Sequence, residues 1–199
     1  MPNRTPAHPI DDIFVERWSP RAFDGQPMPH ADLLSVLEAA RWAPSAYNYQ
    51  PWRFVYAHRD DPQWRAFVDL LVPFNAGWAQ HASALVFVLS DTVMVDETSG
   101  GTSDGATPSR SHSFDAGAAW AQLALQATRL GYQARAMAGV DFDRAQERLG
   151  APQRYRIEVA IALGRSTSPD HLDDALHKRD DEHQRRPVEE LAFAGSFPA

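Results

Sequence analysis

Close to the N-terminus, the run Arg17-Trp18-Ser19-Pro20-Arg21-Ala22-Phe23 sets two guanidiniums and a hydroxyl at alternate positions. In an extended or turn segment, residues i, i+2 and i+4 share a face, so Arg17, Ser19 and Arg21 could all donate to one phosphate. The other reading of these residues is an exposed basic edge beside Glu16 and Asp24. A second run, Ala43-Pro44-Ser45-Ala46-Tyr47-Asn48-Tyr49-Gln50-Pro51-Trp52-Arg53-Phe54, is more specific. Ser45, Asn48 and Gln50 offer donors and acceptors at separate points, Pro44 and Pro51 stiffen the backbone, and Tyr47, Tyr49 and Trp52 supply flat surfaces. A planar heterocycle with polar edges suits that combination. A turn marked by Asn and Pro with buried aromatics explains any one of these residues, but explains the set less well.

Other chemistries lack their residues. There is no Gly-x-Gly-x-x-Gly and no Gly-Lys pair for a P-loop, and His-Glu-x-x-His does not occur. The chain has no cysteine, which removes disulfides, thiol nucleophiles, iron–sulfur clusters and Cys-based zinc sites together. Of 19 Lys plus Arg, only Lys178 is a lysine, so Schiff-base chemistry would rest on one amine in a polar stretch. The nearest approach to a metal cluster is His171, Asp173, Asp174, His177 and His183 in the polar tail, which we read as solvated charge.

These residues need elements to hold them. Leu33, Leu34, Leu37 and Ala40 recur at helical spacing, predicting a helix over 31–43 that Pro44 stops. A strand over 52–57 and an amphipathic helix over 62–72 follow, so the second run sits in a loop between helix and strand. Ala84 to Leu89 is apolar throughout, as befits a central strand covered on both faces. Residues 92–113, rich in Gly, Ser and Thr, predict a mobile surface loop, either a lid or plain disorder. Residues 114–130 are Ala-rich and nearly uncharged between Asp115 and Arg129, predicting a helix buried almost all round. In so small a chain, that burial suggests a subunit interface. Gly131 caps this helix, residues 133–138 are strand-like, 141–149 a short helix, and 157–163 the last clear strand. Beyond a polar spacer, residues 188–193 turn apolar again, as an arm would that docks on a partner subunit.

Composition bounds the setting. At 199 residues with 44% hydrophobic and 23% charged residues, the chain predicts one ordinary globular domain over 1–199. A net charge of −7 argues against nucleic acid or an anionic membrane as partner. The apolar run 82–89 is far too short to span a bilayer, and Met1 to Ile10 is polar and proline-bearing, so the expectation is a soluble, cytoplasmic protein.

Taken in order, the Arg-x-Ser-x-Arg-x-Phe start, the helix, and the Ala-Pro-Ser-x-x-Asn-x-Gln-Pro-Trp loop resemble the nitroreductase family of flavoproteins. The likeness continues through Asn75 and Trp78, Asp115-Ala-Gly, Ala136-Met-Ala-Gly139, Gly164-Arg165 and Arg185-Arg-Pro-Val-Glu-Glu-Leu191, from about residue 15 to 193. The resemblance implies an α+β fold, a three-layer α/β/α sandwich with a mainly antiparallel sheet, dimerised through its long helix with FMN where the subunits meet. It implies that Arg17, Ser19, Arg21 and the pair Arg185 and Arg186 hold the FMN phosphate, together with Arg165. Ser45, Asn48, Gln50 and Asn75 would contact the flavin, and the backbone of Ala138 and Gly139 would face its ring. It also implies NADH or NADPH as reductant and a small organic acceptor (a nitro compound, quinone, enone or similar), with no catalytic side chain. Two departures stand out: Ala138 where some members carry an acidic residue, and Trp78 where some carry a Lys. Two rival readings fit the same chain. A flavin carrier or sensor without turnover would share every motif, and a dimeric interaction module would leave the arginines as surface charge.

Overall fold

A computed structural model describes residues 4–95, 106–172, 176 and 184–198. In chain order the elements are α1 (Ile13–Glu16), α2 (His30–Arg41), β1 (Trp52–His58), α3 (Trp64–Val68), α4 (Pro73–Ala79), β2 (Ala84–Asp91), β3 (Val93–Met94), β4 (Thr107–Pro108), α5 (His112–Arg129), β5 (Gln133–Met137), α6 (Phe142–Arg148) and β6 (Tyr155–Gly164). The main sheet has the order β1-β2-β6-β5, with every neighbouring pair antiparallel. This is the mainly antiparallel α+β fold expected.

Alternation along the central strand builds the three layers. Leu85, Phe87 and Leu89 of β2 point to one face, where they meet Phe67 and Val68 of α3, Trp78 and Ala79 of α4, and Ala145 of α6. Val86 and Val88 point to the other and meet Leu33, Val36 and Ala40 of α2 with Ala119, Leu123 and Ala127 of α5. All eight positions of β2 are buried, and a strand covered on both faces is apolar along most of its length, here from Ala84 to Leu89. Ile161 of β6 lies in the second cluster at 0% exposure. Ile161→Val is expected to cost about 0.5–1.5 kcal/mol, read as a midpoint shift of about 2–4 °C per kcal/mol in thermal unfolding.

The structure corrects three readings of the sequence. The helix expected over 62–72 spans only Trp64–Val68, because the chain after it extends so that Leu71 can bridge to Val140 and Asp141 N can donate to Leu70 O. Helix α4 was not anticipated, although Pro73 at its first turn is a helix-start signal. Helix α5 begins at His112 inside the expected loop, and it is not buried all round: Ala116, Ala119, Leu123, Ala124 and Ala127 line the buried face, while Phe114 is 82% exposed and Gly117 and Ala121 are open. At its other end Gly131, at φ 78°, turns the chain out as expected, with its N–H donating to Thr128 O at 3.0 Å. Within the expected loop 92–113, Val93–Met94 pairs with Thr107–Pro108, and residues 96–105 lie outside the described residues.

Candidate functional site

The segment after α1 is held from outside. Trp18 N donates to Gln133 Oε1 at 2.6 Å, Gln133 Nε2 donates to Glu16 O at 3.3 Å, and Arg135 Nη1 donates to Ser19 O. Gln133 and Arg135 stand two apart on edge strand β5, so both reach the same segment. Held this way, Arg17 Nη1 donates to Ser19 Oγ at 3.0 Å, and the two groups meet as the i, i+2 spacing predicts. Arg21 is 8% exposed, inside the protein rather than on the basic edge that was the other reading. Arg185 and Arg186 are exposed.

Electrostatics mark the corner as cationic. Burial, followed by the nearby Arg185 charge, pushes the half-buried Arg17 guanidinium below its ordinary value. Arg4 is lowered by burial first, then by Arg185 and Arg17. Arg4, Arg17 and Arg185 therefore gather on one spot of a chain with net charge −7. Like charges brought together at partial burial are unfavourable without an anion between them. Arg165 is exposed, its Cζ lies 4.6 Å from the ring centroid of Tyr132, and Tyr132 Oη donates to Asp32 at 2.7 Å.

Strand β5 leads from this corner to a second group. At about 3.3 Å per residue, Ala138 lies about 17 Å along the chain from Gln133. Gly139 O accepts from Val72 N at 3.1 Å and from Asn75 Nδ2 at 3.2 Å, which locks the turn after β5 onto α4. A Cβ on Gly139 would stand 2.2 Å from Asn75 Nδ2 and 2.8 Å from Val72 Cγ2, so glycine is required here for close approach. One turn on, buried Trp78 stacks on Phe23 at 6.3 Å, with the Arg135 guanidinium 5.9 Å from its ring. Arg135 thus joins Ser19 to α4, and Arg17, Ser19, Asn75, Ala138 and Gly139 form one connected region along this sheet edge.

The loop carrying Ser45, Asn48 and Gln50 is strained. Tyr47, Asn48 and Gln50 all have φ near +54°, a left-handed conformation that Asn tolerates and the other two resist. Such residues persist only when their surroundings over-determine them. Here Gln50 N donates to Ser45 Oγ at 3.0 Å, Ala46 N to Asp115 Oδ2 at 3.2 Å, and Tyr49 Oη to Val93 O at 2.9 Å. Asp115 sits in the first turn of α5 at 3% exposure, where its carboxylate also accepts from Ser111 Oγ at 3.0 Å. Tyr47 is left 90% exposed.

The chain does not bring this loop to the arginine corner. The loop enters β1 at the sheet end where Trp52 pairs with Ser90; the corner lies where Gln133 pairs with Gly164, on the opposite edge strand. Three strand spacings, about 14 Å, separate the edges. The loop is tied to α5 on one face of the sheet, whereas Asn75 sits on α4 across the other. Ser45, Asn48 and Gln50 therefore form one part, and Arg17, Ser19, Asn75, Ala138 and Gly139 another.

Sequence reasoning missed Arg4, Gln133 and Arg135. Alternation of Gln133 and Arg135 along β5 was the available signal for two of them, while nothing in the local pattern around Arg4 marks it. Among the described residues, no group of three or more His, Asp or Glu could hold a metal ion, and no helix is long and apolar enough to cross a membrane. Most of the tail cluster from His171 to His183 lies outside the described residues.

The model of the family described as Nitroreductase family matches residues 14–72 and 63–165. The chain is 31% identical over 187 residues to the CLA biosynthesis enone reductase of Lactiplantibacillus plantarum, covering 79% of this chain and 85% of that protein. It is 27% identical over 192 residues to the putative NAD(P)H nitroreductase YodC of Bacillus subtilis (strain 168), covering 83% and 93%. Among solved structures, that of an oxidoreductase containing FMN superposes with a TM-score of 0.93 at 47% identity, over 98% of this chain and 96% of that one.

Proposed function

The chain belongs to the nitroreductase family, and from that premise we propose that it is an FMN-dependent oxidoreductase taking two electrons from NADH or NADPH to a small organic acceptor. A relative that contains FMN at 47% identity supports the cofactor, and the relatives' names support a nitro or enone acceptor. The observation that carries the reading is the arginine corner: Arg17, beside Ser19 and within range of Arg185, is cationic, partly buried and preformed. A phosphate monoester is an anion that suits such a corner, and the adjoining edge along β5 to Asn75 and Gly139 offers the amide and backbone groups a flavin's polar rim requires. When bound, FMN supplies the two-electron chemistry.

This chain's residues hold and orient. Arg17 and Ser19 donate to the phosphate, supported by Arg21, Arg185 and Arg186, while Asn75 and the backbone of Ala138 and Gly139 face the ring. Reductant and acceptor use one place in turn, a ping-pong order in which the first product leaves before the second substrate enters. We read the whole chain as one FMN-binding domain in a homodimer, with Ser45, Asn48 and Gln50 of one subunit completing the corner of the other. The separation of the two parts supports this, as do the strained loop turned to solvent and the open face of α5 with Phe114, Gly117 and Ala121. The C-terminal arm supports it too: Leu191 is 63% and Phe197 84% exposed, an apolar row that a second subunit would cover. An open groove of about 1010 Å³ between α2 and β1, lined in part by Leu37, Trp42, Trp52 and Phe54, is a surface on which it could settle.

The test is an absorbance spectrum of the purified protein, before and after anaerobic NADH or NADPH, alongside its mass in solution. A flavin band that bleaches, in a dimer, is expected; a colourless protein that takes up no added FMN would refute the reading. Arg17→Ala is expected to weaken FMN binding on the order of 10- to 100-fold, the worth of a hydrogen bond to a charged group. Fluorescence titration measures it, and unchanged affinity would remove Arg17 from the phosphate.

A further inference from the structure

Arg4 lies ahead of the segment matched by the family model, and none of the motifs that led to the site includes it. Its Nη1 donates to Val15 O at 2.7 Å and to Arg17 O at 2.8 Å, the carbonyls at the end of α1. Its guanidinium also lies over Trp18, 5.2 Å from the ring centroid. We propose that Arg4 is a positioning residue for the cofactor phosphate: by clamping both carbonyls and lying over Trp18, it fixes the turn from which Arg17 and Ser19 reach their anion. This rests on the assignment of the arginine corner as the phosphate site.

The argument runs from geometry. A short helix such as α1 has little intrinsic stability, so the direction in which the chain leaves it must be set from outside. On one side Gln133 and Arg135 do so through Trp18 N, Glu16 O and Ser19 O. Arg4 does so on the other, where one terminal nitrogen spans two carbonyls while the guanidinium lies over an indole. Cations are favoured at helix C-termini, so the clamp is favourable there in its own right. Both carbonyl bonds come from a single nitrogen and do not consume the other N–H groups of the fork. The corner that results is cationic beyond what helix capping needs, since Arg4 feels the charges of Arg185 and Arg17, and Arg17 that of Arg185.

The experiment compares FMN with riboflavin, which lacks the phosphate, by fluorescence titration of Arg4→Ala, Arg17→Ala and the double variant. With Arg4→Ala, FMN affinity is expected to fall on the order of tenfold, while riboflavin affinity stays within about twofold. The Arg4→Ala effect should shrink well below tenfold when Arg17 is already Ala, leaving only the part that acts through Ser19, because residues acting through one another are not additive. Arg4→Lys, which keeps the charge but not the guanidinium over Trp18, serves if Arg4→Ala unfolds, and its FMN affinity should fall between wild type and Arg17→Ala. Unchanged FMN affinity in Arg4→Ala, with a loss in Arg17→Ala, overturns this proposal alone. Equal loss for both flavins makes Arg4 merely structural and overturns it as well. No loss in Arg17→Ala overturns the phosphate assignment beneath it.

Discussion

Gly139→Ala is expected to lower FMN affinity on the order of a hundredfold and to lower the melting temperature. The new methyl would stand 2.2 Å from Asn75 Nδ2 and 2.8 Å from Val72 Cγ2, where no side-chain carbon fits. Neither neighbour yields cheaply: Asn75 is 9% exposed and bonded to Gly139 O, and Val72 donates its own N–H to the same oxygen. Overpacking of this kind costs about 1–3 kcal/mol, which at about 2–4 °C per kcal/mol is readily seen in a thermal scan. Relief requires the 138–140 turn and α4 to part, which misplaces both the Asn75 amide and the backbone that we propose faces the flavin. Two misplaced hydrogen-bonding groups at about 1–1.5 kcal/mol each convert to the hundredfold. The double variant Gly139→Ala, Asn75→Ala, which removes the closer of the two clashes and leaves the one with Val72, should recover part of the stability and little of the affinity. A Gly139→Ala protein with normal melting and FMN affinity within a few-fold of wild type would mean that the contact is not as close as described.

Asp115→Ala is expected to destabilise the fold by about 2–3 kcal/mol, the range for removing a buried charged acceptor. Its carboxylate is 3% exposed and serves both Ala46 N and Ser111 Oγ, so the loop 45–50 loses its tie to α5. That loop holds three non-glycine residues at positive φ, a conformation that relaxes once its ties are cut. Asp115→Asn keeps an oxygen acceptor and should cost less, with urea unfolding separating the two. Limited proteolysis should cut Asp115→Ala faster near Tyr47. A loss under about 0.5 kcal/mol, smaller than an ordinary exposed contact, would show that the loop is held without Asp115.

Together, the two variants probe the two parts of the site separately. Gly139 tests the edge along β5, and Asp115 tests the loop at the far corner of the sheet. If the site is shared between subunits, mixing an Asp115→Ala subunit with an Arg17→Ala subunit should leave one of the two sites intact in the mixed dimer.

The sequence by itself determined the elements and the residue types of the site. The unbroken apolar run of β2, the Ala-rich α5 ended by Gly131, the helical spacing of α2 and the strand after Pro51 are local patterns, and the structure has each within a few residues. Arg17 and Ser19 share a face because an i, i+2 spacing in extended chain leaves them no other arrangement. The resemblance carried Asn75 and Gly139 onto the site before any contact between them was visible. What only tertiary structure decided is adjacency. Arg135 meets Ser19 across 116 residues because β5 is an edge strand, and that follows from the order β1-β2-β6-β5 rather than from any local pattern. The same order puts the Ser45–Gln50 loop and the Arg17–Ser19 segment on opposite edges, although both lie within the first fifty residues. Local periodicity reports what a segment buries, and the partners it finds depend on every strand between.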